Sequence, residues 1–70
     1  MYFTMTTPDG ETYYSKKLEG STTEIGRSIG VLISKGGSFQ LDTGEYILFS
    51  KEIAENSIFL LYPFNVPREF

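Results

Sequence analysis

Ile58-Phe59-Leu60-Leu61-Tyr62 is the longest unbroken apolar run in the chain, and it constrains the fold more than any other stretch. A strand turns successive side chains to opposite faces, so a run that is apolar at every position asks for cover on both. In a chain of 70 residues most of the remaining sequence has to supply that cover. The run therefore predicts an interior strand, ended by Pro63, which has no N–H to give to a ladder.

The other segments must then build a core without staples. A chain this short buries only about 60% of the surface its unfolded form exposes, so one thin core is all it can form. The sequence contains no cysteine and no histidine. Disulfides, thiolate metal sites and cysteine nucleophiles are thereby excluded. The commonest general base, metal ligand and pH switch is missing as well. Apolar material is nonetheless ample: six Phe and five Tyr, each able to remove roughly 150–250 Å² from water when buried. Such a composition argues for a folded domain and against disorder. Aromatics that find no room inside lie on the surface and favour association.

Turn chemistry divides the chain. Thr7-Pro8-Asp9-Gly10-Glu11 carries the residues of a hairpin loop, with Pro setting φ at the first loop position and Gly taking the left-handed one. Pairing Thr7 with Glu11 puts Met5 opposite Tyr13, Thr4 opposite Tyr14 and Phe3 opposite Ser15, with a second strand running from Glu11 to about Leu18. Gly20 breaks that strand. Ser21-Thr22-Thr23-Glu24 matches a capping box, and Ile25, Ile29, Leu32 and Ile33 recur at helical spacing. The spacing predicts a helix from Thr22 to Ser34, although Gly26 and Gly30 weaken it and Val31-Leu32-Ile33 would also suit a strand. Gly26 and Gly30 read as a small-residue face that lets the helix approach the sheet, and Gly36-Gly37 as its stop.

Ser38-Phe39-Gln40-Leu41 alternates as a strand, Asp42-Thr43-Gly44 is a second turn, and Glu45 to Ser50 returns. Tyr46 to Phe49 is apolar on both faces, so two registers stay open: Phe39 opposite Ile47, or Phe39 opposite Leu48. Ser50 to Asn56 reads as one helical turn, capped by Ser50 and left through a left-handed Asn56. The two hairpins do not read as an internal repeat, because their turns differ in sequence. The expected fold is α+β, with about five antiparallel strands (two hairpins plus a C-terminal strand) and one helix near 22–34 covering a face. The alternative places a strand over 28–34 and closes an SH3-like or Sm-like barrel. Residues 1–64 form the expected domain, and 65–70 a tail.

Chemistry is sparse. The carboxylate pairs Asp9 with Glu11, Asp42 with Glu45, and Glu52 with Glu55 fall in turns or on a solvated helical turn, where carboxylates cap backbone. Gly26-Arg27-Ser28-Ile29-Gly30 and Lys35-Gly36-Gly37-Ser38 hold residue types found in phosphate loops, but neither lies between a strand and a helix N-terminus. Ser34 with Lys35 or Ser15 with Lys16 would need a buried lysine to act as a dyad, and adjacent strand residues point apart. No catalytic, metal or cofactor site is expected, and an enzyme is not. The net charge is −3, against the basic face that nucleic acid requires.

Tyr2, Tyr14 and Lys16 share one face of the first hairpin. With Tyr46, Tyr62 and Phe64 they form the candidate binding face, suited to a protein partner, or alternatively to stacking single-stranded nucleic acid. The Pro8-Asp9-Gly10-Glu11-Thr12-Tyr13-Tyr14 hairpin, followed by Gly20, Ser21 and a helix, resembles the start of small phage inhibitors of uracil-DNA glycosylase. The second hairpin and the last strand have no counterpart there. The resemblance implies that a small, acidic, cysteine-free domain can serve as an inhibitor of another intracellular protein. The expected function is thus a non-enzymatic protein-binding module that self-associates or acts as an inhibitor or adaptor. Met1 to Thr4 lacks the features of a signal peptide, so a cytoplasmic location is expected, with no membrane partner.

Overall fold

The structure is a computed structural model and describes residues 1–63. The elements run β1 (Tyr2–Thr6), β2 (Thr12–Tyr14), α1 (Thr22–Lys35), β3 (Gly37–Gln40), β4 (Tyr46–Phe49), α2 (Lys51–Glu55) and β5 (Ile58–Tyr62). The fold is α+β, with five strands in antiparallel sheets and α1 as the main covering helix. One sheet has the order β2-β1-β5 and the other is the β3-β4 hairpin. Phe64 and the expected tail over 65–70 lie outside the described residues.

Both hairpins close as three-residue loops. The Thr7 N–H donates to Glu11 O at 2.8 Å, and the Leu41 N–H to Glu45 O at 2.7 Å. The last loop residue is a glycine at positive φ in each, Gly10 at 94° and Gly44 at 96°. Two different turn sequences thus reach one backbone geometry. The first register matches expectation, with Thr4 opposite Tyr14 and Met5 opposite Tyr13. The open choice in the second hairpin resolves to Phe39 opposite Ile47.

The second strand is shorter than expected because Ser15 changes the chain's partner. Its N–H donates to Phe3 O at 2.9 Å, still in the β1 ladder. Its hydroxyl takes the place of a ladder carbonyl, accepting the Phe3 N–H at 3.0 Å and donating to Lys16 O at 2.9 Å. An isolated bridge then pairs Ser15 with Leu41, and the Lys16 N–H donates to Gln40 O at 3.0 Å. This joins the two sheets edge to edge without closing a barrel. The barrel alternative fails because residues 28–34 lie inside α1, where the capping box and the apolar stripe outweigh the β-branched Val31-Leu32-Ile33.

The capping box forms as the sequence requires: Glu24 N–H to Ser21 Oγ at 3.2 Å, and Ser21 N–H to Glu24 Oε1 at 3.0 Å. Gly36 ends the helix at φ 74°, its N–H reaching Leu32 O at 2.7 Å. Ile25 and Ile29 are buried against Phe3, with Leu18, Phe39, Phe59 and Leu61 around them. A second cluster holds Met5, Phe49 and Ala54, and Leu32, Phe39 and Phe59 pack against both. Burying a side chain as completely as Phe3, Met5, Ile25 or Ile29 contributes about 1.5–3 kcal/mol.

Three expectations change. Among the described residues β5 is an edge strand, and β1 takes the centre of the sheet. One face of the apolar run is consequently open, with Ile58 61% and Leu60 50% exposed. Gly26 and Gly30 do not face the sheet; a Cβ on either would meet nothing within 4 Å. They follow the buried Ile25 and Ile29 by one residue, which rotates them about 100° off the packed stripe. Asn56 leaves α2 at φ −104°, not left-handed, because its Nδ2 donates back to Glu52 O at 2.9 Å.

Candidate functional site

The outer face of the β2-β1-β5 sheet follows from strand parity. Phe3 and Met5 turn inward, so Tyr2, Thr4 and Thr6 turn outward, and the registers set Tyr62, Leu60 and Ile58 beside them. Thr4 in turn lies between Leu60 and Tyr14. Tyr2 and Tyr62, directly opposed, stack with centroids 4.8 Å apart and rings 8° from parallel. Tyr14, on the diagonal, stands 6.4 Å from Tyr2 at a 33° tilt. Stacked and tilted ring pairs at these separations are favourable beyond their buried area.

Backbone pairing continues past the three-stranded sheet. Beyond Ser15 the ladder with β1 slips by one residue, since the Leu18 N–H donates to Met1 O at 2.7 Å. The Lys16 amide bonds to Gln40, and Gln40 pairs with Tyr46. Tyr46 is 71% exposed. Of the residues named from sequence, Tyr2, Tyr14 and Tyr62 are in ring contact, whereas Lys16 and Tyr46 are linked to them only along the backbone, through Gln40. Phe64 lies outside the described residues.

Ile58 and Leu60 were missed as members of this face. Their signal was present, since residues 58, 60 and 62 share a face by the period of two. A run that is apolar at every position shows no alternation to mark which face is open. Leu48, outward on β4 and 82% exposed, is a further uncovered apolar residue.

The alternative chemistries find structural uses. The Ser15 hydroxyl is committed to Phe3 and Lys16 as described, and that of Ser34 donates to Val31 O at 3.1 Å. Asp9 Oδ1 accepts from the Thr7 hydroxyl and from the Glu11 N–H, and these bonds hold its carboxyl below the ordinary value of 3.8. Gly26 to Gly30 sits within α1 and not at its N-terminus. Among the described residues, no group of three or more acidic side chains is placed to hold a metal ion, and no helix is long and apolar enough to cross a membrane. No family model, curated protein or solved structure matches the chain.

Proposed function

We propose that this chain is a non-enzymatic protein-binding module that docks through the tyrosine face of the β2-β1-β5 sheet. The observation that carries the reading is the stacked Tyr2–Tyr62 pair with Tyr14 beside it, bordered by exposed Ile58 and Leu60. Rings held against one another lose little freedom on binding, and tyrosine offers broad apolar contact with a polar tip. A self-associating domain, or an inhibitor or adaptor acting in the cytoplasm, uses such a face. Its acidic balance suits a partner with a neutral or basic surface.

The test compares the intact chain with a Tyr2→Ala, Tyr62→Ala variant as bait in native lysate, with circular dichroism as the check on folding. A partner held by the native chain and lost by the folded variant supports the reading. Equal retention by both removes the tyrosine face from it.

A second reading, binding of single-stranded nucleic acid, draws on the stacked rings and on Lys16, two residues beyond Tyr14. The net charge of −3 opposes the reading. Binding to oligonucleotides at low salt, where electrostatic attraction is strongest, decides it.

A further inference from the structure

Among the described residues, the outer edge of β5 has no paired strand, and it forms a self-complementary hydrogen-bonding template. Phe3 and Thr7 direct their backbone groups toward β2 and its turn, as the Ser15–Phe3 and Thr7–Glu11 bonds require. In an antiparallel ladder the direction alternates residue by residue. Tyr2, Thr4 and Thr6 therefore bond to Tyr62, Leu60 and Ile58, their register partners. The amides and carbonyls of Phe59 and Leu61 are left pointing away from the sheet, and β5 has no neighbour on that side among the described residues.

From this geometry we infer that β5 pairs antiparallel with β5 of a second copy, about a two-fold axis at Leu60. Phe59 then faces Leu61 of the second copy and Leu61 faces its Phe59, so each of these amides and carbonyls finds a partner. At the ends, Ser57 meets Pro63. Pro63 has no N–H, and the Ser57 N–H is already held by Ala54 O at 3.1 Å, so no donor is stranded. Moving the axis onto Phe59 would set the Leu61 carbonyl against that engaged Ser57 amide. Moving it onto Leu61 would set the Phe59 carbonyl against Pro63. Only the Leu60 axis satisfies both residues in full.

The side chains agree with this register. Leu60 meets Leu60 across the axis, and Ile58 meets Tyr62, which covers the two apolar residues that the edge leaves open. Residues 57–63 contain no charge, whereas natural edges that stay unpaired are commonly guarded by one. The rival edge, β4, is bounded by Glu45 and Lys51. Pairing through β5 would also join the two tyrosine faces into one continuous surface. The inference rests on the reading of the chain as a self-associating binding module, and it names the strand, the register and the partner.

The first measurement is the mass of the intact chain by light scattering at micromolar concentrations. Twice the mass of one chain is expected, and a monomer throughout overturns the proposal while leaving the tyrosine face to its own test. The register is tested in the same chain, which has no native cysteine. Directly opposed residues of a non-hydrogen-bonded pair have Cα atoms about 4.5 Å apart, within disulfide reach. Leu60→Cys should therefore cross-link to a dimer on mild oxidation and Ile58→Cys should not; equal cross-linking of both overturns the register. Chemical synthesis with N-methyl-leucine at position 61 keeps the core side chain and removes only the outward donor. It should raise the dimer dissociation constant at least about tenfold, two bonds being lost per dimer, and an unchanged constant overturns the pairing. Leu48→Lys on β4 should leave the dimer intact, and its dissociation would assign the contact to the other edge.

Discussion

A Cβ on Gly36 would stand 2.6 Å from the backbone nitrogen of Lys51 and 2.9 Å from Phe49 O. The end of α1 thus meets the junction of β4 and α2 backbone to backbone. The neighbour is main chain and cannot swing aside. Gly36→Ala should cost at least about 2 kcal/mol, combining the clash with the strain of a left-handed residue. Gly44→Ala, at φ 96° with nothing within 4 Å, should lose only the conformational part, about 1–2 kcal/mol. Thermal unfolding of the two variants side by side separates these contributions.

The helix glycines predict the opposite sign. Gly26 and Gly30 are exposed, lie in α1 and have open space where a Cβ would go. Gly26→Ala and Gly30→Ala should each stabilise the chain by about 0.5–1 kcal/mol, by raising helix propensity and restricting the unfolded chain. In urea the midpoint should rise with an unchanged slope.

Among the described residues, Met5 is the largest side chain with no exposure at all. Met5→Ala should cost about 2–5 kcal/mol through lost burial and the cavity left between Phe49 and Ala54. Met5→Leu, close in volume, should cost less than about 1.5 kcal/mol. Equilibrium unfolding of both variants tests whether the second cluster is as tightly packed as its burial implies.

Asp9 gives the first turn an acid sensitivity. Its carboxyl is held below 3.8 by the Thr7 hydroxyl first and the Glu11 amide second. A depressed folded value means that the ionised form contributes stability above pH 3.8, and that this contribution is lost as pH falls through the folded value. The stability gap between the native chain and Asp9→Asn should therefore be widest near neutrality and narrow as the pH is taken down below 3.8. Urea midpoints measured across that range check it.

Local signals carried most of the fold. Pro8-Asp9-Gly10 and Asp42-Thr43-Gly44 specified their turns, and Ser21 with Glu24 specified the start of α1. The register of the second hairpin was closed to sequence reading because Tyr46 to Phe49 is apolar on both faces, so parity could not choose. The edge position of β5 depends on which strands meet across the whole chain, which no local pattern encodes. At the candidate site, the nearness of Tyr2 and Tyr14 was legible from hairpin parity. Their union with Tyr62 needed the β1–β5 pairing, and the exposure of Ile58 and Leu60 needed the edge.

The pairing of residues 2–6 with residues 58–62 also sets an order of events. The first hairpin is local and can form within microseconds. Strand β1 cannot gain its second neighbour until the far end of the domain arrives, and closing so long a loop carries its entropy cost before any contact repays it. Folding should therefore be limited by the docking of β5. During synthesis, the nascent domain should hold Phe3 and Met5 only partly covered until that last strand leaves the ribosome.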